Sequence, residues 1–250
     1  MDHADHVAAT AREIDDLLAA LAAGPLSAPV PTCPGWTAAD LAGHVGWFST
    51  RWRDHLRGGD YEDAVRPADV AAPAGDEAAI AWLRQLTGDL LAELRAAPPD
   101  ARVWTWYPPD QTAGFVARRC SHELAIHRYD AQSVRRTCAP IAPELAIDGI
   151  DEMLDVLSLF AYAKNVGTGQ TVHLHGTDDP SVLGAGAAEW FIRLEPERPV
   201  ATHEHAKGDL ALRAGVSDLE LLLYGRPPLG EVQRFGDESL VDLLHQTFKF

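Results

Sequence analysis

Residues 121–131 read SHELAIHRYDA and crowd His122, Glu123, His127 and Asp130 into one short stretch. A zinc-protease HExxH signature needs its two histidines four apart on one helical face. Here the second histidine arrives one residue late. On an α-helix each residue turns about 100°, so His122 and His127 stand about 140° apart and do not readily share an ion. Glu123 and His127, four apart, lie about 40° from eclipse, and Asp130 falls on the same stripe, seven beyond Glu123. Geometry therefore selects Glu123, His127 and Asp130 and rejects His122.

A catalytic zinc takes three protein ligands and keeps one position open. His44, in DLAGHVGWF, is the natural third ligand: it sits among apolar residues, between Gly43 and Gly46. Interior helix glycines cost about 1 kcal/mol each relative to alanine and often permit close approach by a neighbour. Two facing helices that each donate ligands are a standard way to build a metal site in a bundle. Plainer readings stay open. Glu123 with His127 also suits a surface pair, and His44 a hydrogen-bonded core histidine. Asp130 suits a supporting partner of His127, or an ion pair with an arginine, better than a ligand.

The surrounding chain reads as helices. Val7, Ile14, Leu17, Leu18 and Leu21 recur at helical spacing, and GPLSAPVPTCPGW interrupts them. Thr37 and Asp40 form a T-x-x-D capping box that starts a second helix, running to about Arg57. DEAAIAWLRQLTGDLLAELRAA gives a third helix, stopped by Pro98-Pro99, and the fourth spans about Thr112 to Arg136. These four suggest a four-helix bundle over residues 1–144. PELAIDGIDEMLDVLSLFAYA is one more helix. TVHLHGTDD, EWFIRLEPE and GDLALRAG alternate as half-buried strands, and VSDLELLLYGR and ESLVDLLHQTFKF return to helical patterns. Residues 145–250 therefore read as a separate, smaller α+β domain. His173 and His175 share a strand face there, as do His203 and His205, and exposed strand histidines are the plain account of both pairs. Trp104, Trp106 and Tyr107, with Trp47 and Trp52, suit either an aromatic pocket or a core.

Composition narrows the partners. The 250 residues carry 37 acids against 21 bases, a formal charge of −16. Such a surface repels phosphate backbones and anionic membrane faces. The start shows no signal-peptide pattern, and no run approaches the ~18 apolar residues of a membrane span. Cys33, Cys120 and Cys138 are odd in number and widely spaced, which fits reduced thiols in a cytoplasm.

Several stretches together resemble one family. VPTCPGWTAADLAGHVG is similar to an actinobacterial CPxWxxxDLxxHxG pattern, and SHELAIHRYDAQ to its partner HExxxHRxDA. IAPELAIDGIDEML, HLHGTD, EW, HAKGDLALRAGVSDLELLLYGR and FGDESL follow in the family's order. The chain is identified on this resemblance as a member of the maleylpyruvate isomerase family of mycothiol-dependent enzymes. That implies a DinB-like four-helix bundle followed by an α+β domain similar to sterol-carrier proteins. It implies a divalent metal, usually zinc, on His44, Glu123 and His127. It also implies mycothiol as thiol cosubstrate, in a monomer or small homo-oligomer.

The expected chemistry follows. A thiol of ordinary pKa is mostly protonated at neutral pH, and metal coordination deprotonates it. Addition to a cis double bond, rotation and expulsion gives a cis–trans isomerase; a retained adduct gives a thiol S-transferase. The alternatives are a hydrolase or lyase using metal-bound water and a non-catalytic regulatory or binding protein on the same fold. Arg226, in LLLYGRPP, matches an arginine typical of the family and would grip a substrate carboxylate. It also suits the C-terminal end of a helix, where it complements the dipole.

Overall fold

The computed structural model describes residues 1–59, 66–161, 167–179, 183, 186 and 188–248. Two compact units emerge, Met1–Ala139 and Pro140–Phe250. The first holds α1 (His3–Ala22), α2 (Ala38–Leu56), α3 (Asp76–Ala96) and α4 (Ala113–Ser133). Each start has a chemical cause. Asp2 and Asp5 box the N-terminus of α1, and Thr37 and Asp40 that of α2, with the Thr37 N–H donating to Asp40 Oδ2 at 2.8 Å. Thr112 caps α4 by accepting the Phe115 N–H at 3.2 Å. Each cap satisfies backbone donors that the helix leaves without partners.

Leu17, Leu18, Leu41, Leu83 and Leu124 fill the bundle core, at most 2 % exposed. The helix α4 is buried nearly all round, and its buried residues include Arg119, His122, His127, Arg128 and Asp130. So many polar groups in a core helix each require a partner. Gly46 has a packing cause, since a Cβ there would run into the Trp82 ring of α3. Gly43 would meet nothing. Of the aromatics, Trp52 is buried against Phe48 and His55, and Trp106 and Tyr107 pack on Phe115.

The second unit opens with α5 (Pro143–Glu152), which passes through a π-helical turn at Met153–Leu157 into α6 (Ser158–Ala161). The single helix expected here is thus interrupted, and its last part lies outside the described residues. A five-stranded sheet follows, built from β1 (Gln170–Gly176), β2 (Glu189–Leu194), β3 (Pro199–Thr202), β4 (Leu210–Ala214) and β5 (Gln233–Gly236). Its order is β3-β2-β1-β4-β5, with β1 and β4 parallel and the other pairs antiparallel. Helices α7 (Val216–Leu223) and α8 (Leu240–Thr247) also belong to this unit. Val172, Leu174, Ile192, Leu210 and Leu212 are fully buried.

The structure also corrects the reading of the strand histidines. Strand β3 ends at Thr202, so His203 and His205 do not share a strand face. His203 Nε2 lies 3.0 Å from Asp151 Oδ1, whereas His205 turns to Glu189. Nor is His173 an exposed strand histidine, being 5 % exposed. Among the described residues, no helix is long and apolar enough to cross a membrane.

Candidate metal centre

Helix α4 presents Glu123 and His127 one turn apart, and α2 brings His44 opposite them. Glu123 Oε1 accepts from His44 Nε2 at 3.1 Å and from His127 Nε2 at 3.2 Å. The imidazole rings of His44 and His127 are 4.7 Å apart between centroids. One donor atom from each of the three residues fits within a span of 4.8 Å. Ligands on a tetrahedral zinc stand roughly 3.3 Å apart, given zinc–nitrogen bonds of about 2.0 Å. Two imidazoles and a carboxylate are borderline ligands suited to zinc and its neighbours. This donor set fits a divalent transition metal with a fourth position left open.

Two further groups hold these side chains in place. Asp130, fully buried, accepts from His127 Nδ1 at 3.0 Å and so aims Nε2 at Glu123. Arg119 donates from Nη2 to Glu123 Oε2 at 2.9 Å, leaving Oε1 for the histidines. The sequence signal for Arg119 is only its place four residues before Glu123, the spacing of an ordinary helical ion pair. Trp36 and Trp47 flank His44, with ring centroids 5.2 and 5.8 Å away. Arg51 lies 5.8 Å from the ring centroids of both Trp47 and Trp104, a cation over two aromatic faces.

Electrostatics follow from these contacts. Burial pushes the Glu123 carboxyl up, but hydrogen bonds from His127 and His44 and the Arg119 charge hold it well below the usual carboxylate range. Burial likewise opposes a charge on His127, yet the Asp130 and Glu123 carboxylates raise it to about 9. Both ring nitrogens face ionised oxygens that can only accept, so the metal-free ring carries two protons.

His122, one residue from Glu123, points elsewhere. It packs edge-on against His6 of α1, ring centroids 5.6 Å apart. Arg226 belongs to the second unit, just past α7, where its Nη1 donates to the Tyr224 carbonyl at 2.8 Å. Its backbone N–H closes the helix end by donating to Leu221 O, with Gly225 at φ +68°.

Comparison with known proteins adds the family. Two crystal structures described as the mycothiol-dependent maleylpyruvate isomerase, one of them a histidine-to-alanine variant, share the fold. The variant superposes with a TM-score of 0.62 at 12% identity, and the other with 0.54 at 14%. Each superposition covers 94% of this chain and 93% of that one. An 84-residue segment is also 36% identical to the ATP-dependent dethiobiotin synthetase BioD of Haloferax mediterranei. It covers 30% of this chain, and the chain spans about a third (32%) of that relative's length. The profile described as the mycothiol maleylpyruvate isomerase N-terminal domain matches residues 7–132, just over half of the chain and the whole candidate site. The chain belongs to the mycothiol maleylpyruvate isomerase family.

Proposed function

We propose that this protein activates the low-molecular-weight thiol mycothiol at a divalent metal, zinc by donor type, for reaction with an electrophilic small molecule. The product is either a cis–trans isomer or a thiol S-conjugate. The observation that carries this reading is the meeting of His44 and His127, from two helices, on one oxygen of Glu123. A three-ligand set with an open position is the arrangement catalytic zinc uses, whereas structural zinc sites take four protein ligands. Family membership supports the thiol.

The metal, when bound, supplies a positive charge that makes a coordinated thiol a thiolate at neutral pH. The chain's own residues do the rest. Asp130 holds a proton on His127 Nδ1 and frees Nε2 for ligation, and Arg119 keeps Glu123 in one rotamer. Trp36 and Trp47 wall the His44 side. Arg51 supplies a fixed cation one helical turn beyond Trp47, suited to an electrophile that carries a carboxylate. Arg226 is proposed, on the family resemblance alone, to bind a substrate carboxylate.

Purified, zinc-loaded protein incubated with mycothiol and a panel of electrophiles, including maleylpyruvate, tests the proposal by mass spectrometry and NMR. We expect isomer or conjugate to form only when thiol is present, at least about 100-fold more slowly in His44→Ala, the upper end of what loss of a ligand's supporting partner costs. Turnover that survives complete removal of thiol would overturn the thiol role and favour metal-bound water.

A further inference from the structure

The second unit carries a cluster that the bundle chemistry does not use. Strand alternation puts His173 and His175 on one face of β1, and the antiparallel register sets Glu189 of β2 directly opposite His175. Glu189 therefore shares that face. The loop after β3 is fastened beside them: the Asp209 carboxylate accepts from both the N–H and the hydroxyl of Thr171, each at 2.8 Å. Gly208 lets this loop lie against β1, since a Cβ there would come within 3.0 Å of the His173 nitrogen and 2.7 Å of the Leu210 carbonyl. The anchored loop delivers His205 to the same spot.

All three imidazoles converge on one carboxylate. His175 Nδ1 is 2.8 Å from Glu189 Oε1, His205 Nδ1 is 3.2 Å from both Glu189 oxygens, and His173 Nε2 bonds Oε2. The ring centroids stand 4.9 to 6.0 Å apart, and one donor atom from each of the four residues fits within 4.8 Å. Three imidazole nitrogens and a carboxylate oxygen gathered at one point also make a complete four-donor set for a single dication. Nitrogen-rich donors disfavour calcium and magnesium, which take oxygen, and suit zinc.

We propose that His173, His175, Glu189 and His205 form a second divalent-metal site, of zinc type, on the C-terminal sheet. It differs from the bundle site in kind. Four protein ligands close a tetrahedral shell, so this metal is structural and clamps the loop carrying His205 onto β1 and β2. The ion enters from the His205 side, where that side chain is 74 % exposed while that of His173 is 7 % exposed. The proposal stands independently of the thiol chemistry.

The test uses the full chain, stripped with chelator and titrated with Zn²⁺ alone, in a His44→Ala background that weakens the bundle site. Adding His175→Ala and His205→Ala to that background is expected to remove one equivalent of bound zinc, read by native mass spectrometry. His205→Ala by itself, a change in an exposed loop residue that should leave folding intact, is expected to weaken that equivalent at least tenfold. Zinc should also raise the melting temperature of the His44→Ala protein and not that of the triple variant. Equal zinc content and affinity in all of these proteins would overturn the site, whatever becomes of the bundle metal.

Discussion

Replacing Arg128 with alanine is expected to destabilise the bundle unit by about 3–5 kcal/mol, the cost of leaving a buried charge without its partner. Arg128 is 2 % exposed and donates from Nε to Glu13 Oε2 of α1 at 2.8 Å; Glu13 is itself buried. Its Nη1 also donates to Gln132 Oε1 at 2.9 Å and to the Ala139 carbonyl. One guanidinium thus ties α4 to α1 and to the segment that follows α4. Alanine removes these bonds and strands Glu13 in the interior. Lysine should recover only part of the loss, because an ammonium lacks the planar fork that reaches three acceptors. A joint Glu13→Leu, Arg128→Leu variant should recover most of it, since no charge is then left buried. Urea unfolding of the metal-free protein measures these differences. A loss for Arg128→Ala below about 1 kcal/mol, the level of a surface pair, would contradict the reading.

Zinc affinity at the bundle site is expected to rise about 50-fold between pH 7 and pH 9 and about 100-fold to its plateau above. His127 holds two protons in the metal-free protein and titrates at about 9. Ligation through Nε2 requires one proton to leave, so below that value affinity climbs tenfold per pH unit and then levels off. Glu123 adds no slope in this range, because its carboxyl is ionised throughout. The same raised value stabilises the metal-free fold. That contribution is complete below about pH 6.5, the unfolded histidine value, and is lost as pH rises through about 9. Asp130→Asn removes the carboxylate on Nδ1, so the plateau should begin at lower pH, with affinity there about 10–100-fold weaker. Competition with a chelator of known proton dependence reads both quantities. An affinity flat from pH 7 to pH 9 would sink the two-proton description of His127.

Much of the helical half was legible because its signals are local. The Thr37–Asp40 box marks where α2 begins, and helical phase alone separates His122 from the Glu123–His127 stripe. His44 could be proposed from its apolar surroundings, but its distance to Glu123 depends on helix packing, which spacing along the chain does not encode. Arg119 went unnoticed because an arginine before a glutamate on a helix is common. The sheet was harder to read. Strands β3 and β5 have four residues each, too short to establish a period, and β5 is exposed throughout. Glu189 could not be joined to His173, His175 and His205 without the β1–β2 register and the course of the loop after β3. The π-helical turn at Met153–Leu157 is also invisible in a continuous apolar period.

The central claim is that His44, Glu123 and His127 together hold one divalent metal. A crystal grown with zinc, measured on both sides of the zinc absorption edge, tests it most directly. An anomalous peak is expected in the bundle about 2.0–2.2 Å from His44 Nε2, Glu123 Oε1 and His127 Nε2, the ordinary zinc–ligand distances. A zinc-saturated crystal with no peak within bonding distance of those three atoms would contradict it.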